Sequence, residues 1–289
     1  MYILSLAAIG IIIACLAYGL RKNVQFSQLL IIANFLVFIL AIFPEGNQLL
    51  YDLGFRAIYL DEPSKWYTLF TSMFIHFGIG HILMNMIVFL LIGPTFESLI
   101  GKKRFIVIYF VTGICATLVF SLFHLNDAIL LGGASGAIFG ILGAFAASYP
   151  RTQVFIPLFL FIRMPVIGAA LLFAGLETLY VISGITQGVA HEAHLGGLVT
   201  GIAIAAILIR SERSPARSLI NFGDLENLVT TQRGKKILER AKEADVPEVR
   251  DAWLSYLAKD LTCPKCGKKL QFKKDIACDC GYKAGYKKG

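Results

Sequence analysis

Apolar runs long enough to cross a bilayer, repeated along the first 209 residues, constrain this chain more than any other feature. A helix crossing the ~30 Å hydrocarbon core needs roughly 20 mostly apolar residues. Segments 2–20, 26–43, 80–96, 105–123, 135–148, 165–183 and 194–209 meet or approach that length, so seven spans are expected. Composition agrees: 56% of the 289 residues are hydrophobic and 16% charged, against about 45–50% and about 25% in an ordinary soluble domain. The charge is uneven. Residues 1–209 hold 17 charged side chains and residues 210–289 hold 29, with +7 of the net +8 in the latter. This excludes a single soluble domain, a disordered chain and an outer-membrane barrel, whose strands alternate polar and apolar positions. An all-α polytopic membrane protein with a basic soluble tail remains.

The run 2–20 lacks a basic segment before it and a small-residue cleavage site before Arg21, so it is expected to be a retained span rather than a signal peptide. With seven spans, Arg21, Lys22, Lys102, Lys103, Arg104, Arg151 and Arg210 fall on one side of the membrane. The acidic residues Glu45, Asp52, Asp61, Glu62, Asp127 and Glu192 fall on the other. Basic loops mark the cytoplasmic face, so the chain is expected in the cell membrane as a multi-pass protein, with its C-terminal tail cytoplasmic.

Polar residues inside such spans are costly and so informative. His81 and Asn85 stand at i and i+4, on one helix face. Ser135 opens the short fifth run in Gly132-Gly133-Ala134-Ser135-Gly136, and His194 opens the last in Ala193-His194-Leu195-Gly196-Gly197. At ~1.5 Å rise per residue, Ser135 sits ~9 Å below the outer surface, and His194 and His81 ~6 Å below it. Three helices thus bring polar groups to a similar depth. A serine hydroxyl needs an adjacent base to act as a nucleophile, and histidine can take and return that proton near neutral pH. Free N–H groups at a helix start favour an oxyanion, His81 and Asn85 can add donors to it, and glycine at 133 lets the backbone approach a substrate.

A third member is not evident. Glu177 and Glu192 are candidates, but a Ser135–His194 dyad is the simpler reading. His191 competes as the base, although it is expected above the buried site. Gly136 and Gly140, and Gly197 and Gly201, form two GxxxG faces that would bring the serine and histidine helices together.

His81-Ile-Leu-Met-Asn85, Gly133-Ala-Ser135-Gly136 and Ala193-His194-x-x-Gly197-x-x-x-Gly201, in this order on separate helices, resemble the rhomboid family of intramembrane serine proteases over roughly residues 25–210. The resemblance implies a six-helix core, to which residues 1–24 add an N-terminal transmembrane helix. It implies Ser135 as nucleophile and His194 as base, with His81, Asn85 and the loop at Gly133 supporting the oxyanion. Phe139 matches an aromatic position packed on the histidine. The implied reaction is cleavage of transmembrane helices of other proteins, without a catalytic cofactor. The rivals are a catalytically silent scaffold of the same fold and a proton-coupled transporter using His81, His194 and Glu177.

The tail divides into a linker with short helices at 211–260 and a segment at 261–289. Leu225, Leu228, Ile237, Leu238 and Ala241 recur at helical steps, with breaks expected at Gly234 and Pro247. Cys263-Pro-Lys-Cys266-Gly and Cys278-Asp-Cys280-Gly then present four thiols at spacings that suit a structural tetrahedral zinc. This segment resembles a zinc ribbon, and a cytoplasmic partner of unknown identity is expected for it. Its lysines read as a solvated face rather than a nucleic-acid surface.

Overall fold

The computed structural model describes residues 2–44, 46–125, 127–158, 160–184, 188–209, 222–244, 247–272 and 276–284. They belong to two compact units, Met1–Arg210 and Ser211–Gly289. The expected linker at 211–215 lies outside the described residues.

Lipid cannot satisfy backbone N–H and C=O groups, so the apolar runs close their hydrogen bonds internally as helices. The order in the first unit is α1 (Ile3–Arg21), α2 (Phe26–Ala41), α3 (Gly46–Leu53), α4 (Thr68–Thr71), α5 (Ile79–Ile100), α6 (Lys102–Phe123), α7 (Ser135–Ser148), β1 (Gln153–Leu158), β2 (Leu160–Pro165), α8 (Val166–Ser183) and α9 (His191–Leu208). By length and composition α1, α5, α6, α8 and α9 can each cross a membrane; α2 and α7 are shorter apolar helices. The fold is an all-α polytopic membrane protein, and the chain is multi-pass.

α7, α6 and α9 form the tightest part of the packing. A Cβ on Gly197 would lie 2.1 Å from the Gly136 carbonyl oxygen, and one on Gly201 would lie 2.0 Å from that of Gly140. α9 therefore rests directly on the α7 backbone. The expected close approach of the two helices is thus made by Gly197 and Gly201 against the α7 backbone at Gly136 and Gly140. The missing side chains of Gly136 and Gly140 make room for Ala116 and Thr112 of α6. α7 is thus closed in from two sides.

The ends of α1 are tied down. Tyr2 N–H and the Ser5 hydroxyl donate to Asp52 (3.0 and 2.7 Å). At the other end Lys102 Nζ donates to the carbonyls of Gly19 and Lys22 (2.8 and 2.6 Å). The Glu97 carboxylate accepts from the backbone N–H groups of Phe26 and Ser27 and from the Ser27 hydroxyl (2.7, 2.8 and 2.7 Å). It caps the start of α2.

The segment between α2 and α5 is a folded arm, built from α3, α4 and the 3-10 turns Ala57–Asp61, Pro63–Lys65 and Ser72–Phe74. Tyr67 OH donates to the Asp52 carbonyl and Thr71 Oγ1 to that of Leu53 (2.8 and 2.7 Å). The antiparallel hairpin β1–β2 was not expected. Val154 and Ile156 are buried while Phe155 is exposed. That two-residue period is invisible when both faces carry apolar residues.

The second unit contains α10 (Phe222–Leu228), α11 (Gln232–Glu243), α12 (Pro247–Asp260) and a three-stranded antiparallel sheet, β3 (Gln271–Phe272), β4 (Ile276–Ala277) and β5 (Lys283–Ala284). Pro247 starts α12, where Pro is well tolerated. Gly234 is not a break: it lies in the first turn of α11, where its N–H is capped by the Thr231 hydroxyl at 3.0 Å. Leu225, Leu238, Leu254 and Leu257 form the small core.

A candidate active site in the membrane unit and a candidate metal centre in the tail

Ser135 is the first residue of α7, where backbone N–H groups lack intrahelical partners. The backbone proximity of α7 and α9 brings Ser135 Oγ to 2.7 Å from His194 Nε2. α9 starts at His191, so His194 lies one turn inside the helix rather than opening it. The Phe139 ring stacks on His194, with centroids 4.4 Å apart and planes 8° from parallel.

The other side of His194 differs from the dyad expected from sequence. Its Nδ1 lies 3.0 Å from Oε1 of Glu177 on α8. The second carboxylate oxygen of Glu177 hydrogen-bonds His191 Nδ1, and Tyr180 stacks on the His191 ring at 4.6 Å. Glu177, His191 and His194 are all buried. The Glu177 carboxylate is therefore engaged inside the bundle, and His191 does not face Ser135. Their one warning in the sequence is that Glu177 is the single acid in its run.

On the opposite side of Ser135, His81 stands against the Gly132–Gly133 loop. Gly133 has φ of +137°, and a Cβ there would meet His81 Nε2 at 2.9 Å. Glycine is required on both counts. The Gly133 N–H donates to the Ser72 carbonyl at 2.9 Å, so it is committed to the fold. His76 is buried under this loop and accepts a long contact from Ala134 N–H (3.5 Å). Asn85 donates to the His81 carbonyl (2.9 Å), and its side-chain oxygen is buried without a partner among the described residues. A cavity of about 640 Å³ runs between these groups, lined among others by His81, Asn85, Ser135, Phe139, Glu177 and His194.

A further polar bridge stands at the rim, at His124. Its ring nitrogens bridge Asp127 (2.8 Å) and Glu192 (2.7 Å), tying the end of α6 to the start of α9. Glu192 is thus engaged away from His194.

In the tail the four cysteines are free of disulfides. Their sulfurs lie within 4.8 Å of one another, with Cys263–Cys280 at 3.6 Å and Cys266–Cys278 at 3.4 Å. Each pair sits on a tight turn: Gly267 N–H donates to the Cys263 carbonyl and Gly281 N–H to the Cys278 carbonyl (2.8 and 2.9 Å). Both glycines have positive φ, +74° and +88°. The Cys280 thiol is pulled down to about 7, chiefly by the backbone N–H of Tyr282. Thiolates are the ligand form, and the four sulfurs are placed to share one metal ion.

Spans packed around a polar centre reached through a cavity define a polytopic membrane protein with an embedded serine–histidine site. Residues 63–211, just over half of the chain, match the Rhomboid domain, and the chain belongs to the rhomboid family. Among its relatives, the rhomboid protease GluP of Bacillus subtilis is 29% identical over 187 residues, covering 63% of this chain and 34% of that protein. RHOMBOID-like protein 6, mitochondrial, of Arabidopsis thaliana is 31% identical over 150 residues, covering 52% and 46%. Rhomboid-type serine protease 2 of Emericella nidulans is 29% identical over 154 residues, covering 52% and 28%. The matched stretch spans less than half the length of each of these three.

Proposed function

We propose that the protein is an intramembrane serine endopeptidase that cleaves transmembrane helices of other membrane proteins. The 2.7 Å contact between Ser135 Oγ and His194 Nε2, beside an open cavity, carries this reading. Ser135 Oγ attacks the scissile carbonyl carbon while its proton passes to His194 Nε2. The oxyanion forms beside the free N–H groups that start α7, with His81 and Asn85 within the same cavity as further donors; removing one such donor typically costs ~2.7–4 kcal/mol of transition-state stabilisation. Collapse breaks the C–N bond, and His194 returns the proton to the leaving amine. Water then attacks the acyl-enzyme, its proton going to His194 and on to Ser135. Phe139 holds the imidazole plane, and Gly136, Gly197 and Gly201 set the distance between the two helices. No cofactor enters these steps.

Cleavage of a helix-destabilised transmembrane substrate in proteoliposomes tests this. Wild type should cleave it, and Ser135→Ala and His194→Ala should each lose at least about a thousandfold in rate. Cleavage that survives Ser135→Ala would sink the mechanism. A silent scaffold predicts no cleavage by any form, and a proton-coupled transporter predicts flux that survives Ser135→Ala.

We further propose that Cys263, Cys266, Cys278 and Cys280 hold a structural zinc ion. Tetrahedral thiolate ligation at ~2.3 Å separates sulfurs by ~3.8 Å, close to the observed pairs. The loop charges support a cell-membrane protein with this unit in the cytoplasm, where thiols stay reduced. A zinc content near zero after chelator-free purification would remove the site.

A further inference from the structure

We infer that Glu177, clamped by His191, is a positioning carboxylate that holds His194 ready to accept the Ser135 proton, so that the membrane site works as a Ser–His–Glu relay. The inference rests on the protease reading of Ser135 and His194 and deepens it.

The argument starts from what an ionised carboxylate can do: it only accepts hydrogen bonds. Oε1 of Glu177 faces His194 Nδ1 at 3.0 Å, so that nitrogen carries the hydrogen. Nε2 of the neutral ring is then the lone pair, and it points at Ser135 Oγ. The carboxylate thereby selects the tautomer in which His194 is a base. When His194 takes the serine proton, Glu177 faces the new imidazolium across the same hydrogen bond. In a low-dielectric site that pairing is worth more than at a surface. The proton stays on His194 and no net charge is added at Glu177.

His191 completes the arrangement. It lies one turn before His194 on α9, and its Nδ1 takes the other carboxylate oxygen. Its Nε2 has no partner among the described residues, so all of its hydrogen bonding goes to Glu177. A carboxylate in an apolar helix is expensive unless its charge is compensated. Here both oxygens are occupied, and the rotamer is fixed from two sides. The competing explanation is a plain structural tie between α8 and α9. It would also be broken by truncation, but it has no stake in the chemistry.

The experiment therefore separates catalysis from folding. Full-length variants Glu177→Ala, Glu177→Asp, His191→Asn, His191→Leu and the double variant Glu177→Ala/His191→Leu are compared with wild type. The readouts are thermal melting, kcat and KM on the transmembrane substrate, and the rate of Ser135 labelling by a fluorophosphonate. Glu177→Ala should lower kcat and labelling by about a hundred- to ten-thousandfold, with KM within about threefold. Formate should restore at least about tenfold of the loss, and Glu177→Asp should keep part of the activity. His191→Asn, which retains a donor where Nδ1 stands, should keep more activity than a variant with no donor there. His191→Leu should lose more, and the double variant should be no slower than Glu177→Ala, because both act along one path.

The relay is overturned if Glu177→Ala labels and cleaves within threefold of wild type. It is equally overturned if lost activity simply tracks lost melting temperature without formate rescue. A second bound metal ion, beyond that of the cysteines and lost in His191→Leu, would make Glu177, His191 and His194 a metal site and remove the relay. If wild type labels at Ser135 but cleaves no transmembrane substrate, the endopeptidase reading fails while the labelling rates still decide the relay. If wild type does neither, both fall.

Discussion

In the membrane unit, several buried polar groups are satisfied by the protein itself: Glu97 by the start of α2, Glu177 by two histidines, Thr112 by the carbonyl four residues earlier (2.7 Å). Helices there approach until backbone touches backbone. The tail unit is built differently. Its described core joins leucines of three short helices to Leu270, Ile276 and the buried Cys263 and Cys278, and its three strands are two residues long. The difference follows from solvent. In lipid there is no hydrophobic drive between helices, so small-residue packing and internal hydrogen bonds take its place. In water a segment of about 30 residues buries too little to hold itself, and a metal or another staple must make up the difference.

The sharpest way to break this contrast is to remove the zinc ion proposed for the four cysteines. Chelation with phenanthroline, or Cys278→Ser, should abolish amide-exchange protection across the described residues from Leu261 to Ala284. Structural zinc binding is worth about 10–16 kcal/mol in small peptides, more than such a core can replace. Protection that survives chelation would mean the tail holds itself by packing, as the membrane unit does. The next largest effect belongs to the membrane unit. Gly201→Val would place a side chain within 2.0 Å of the Gly140 carbonyl oxygen. It should destabilise by about 3 kcal/mol or more, read from thermal melting in bicelles, because overpacking against backbone has no cheap relief. Gly10→Val, with nothing within 4 Å of the new Cβ, is the matched control and should melt near wild type.

The contrast also explains what could be read in the sequence. Ser135, His194, His81 and the glycines were legible because each is a local exception in an apolar run, and the cysteine spacing stands within one short segment. Span positions were legible for the same reason, since length and apolarity are local. The partners were not. Glu97 caps a helix 70 residues away in sequence, and whether Glu177 faces lipid or His194 depends on the rotation of α8 against α9. The Gly136–Gly140 motif predicted close packing but not which neighbour would use it. The hairpin β1–β2 was missed because a two-residue period needs polar residues on one face to be seen. Sequence reveals which groups are unusual; packing decides what they touch.

A smaller effect tests the satisfied-polar half of the contrast. Glu97→Gln leaves the shape in place but turns a charge-assisted cap of three donors into a neutral one. Hydrogen bonds to charged groups contribute about 1.5–3 kcal/mol net, so a loss of about 1–3 kcal/mol is expected in bicelle melting. Full wild-type melting would show that lipid-side packing alone positions α2.

The smallest effect lies at the rim, where the membrane unit meets water and its polar contacts become titratable. Burial by itself would lower the His124 pKa, but hydrogen bonds to Asp127 and Glu192, together with their charges, raise it above 6.5. The folded state thus prefers the protonated ring. That preference stabilises fully below the unfolded value of about 6.5 and is lost as pH rises through the folded value. Wild type should therefore melt above His124→Gln by a margin that is largest near pH 5.5 and shrinks from about pH 7 upward. Because the pairs are partly exposed, the full margin should be below about 1 kcal/mol, and raised salt should reduce it. A margin that is constant with pH would make the bridge a pair of neutral hydrogen bonds. One that grows with pH would reverse the assigned direction, and with it the claim that the rim is held by charge.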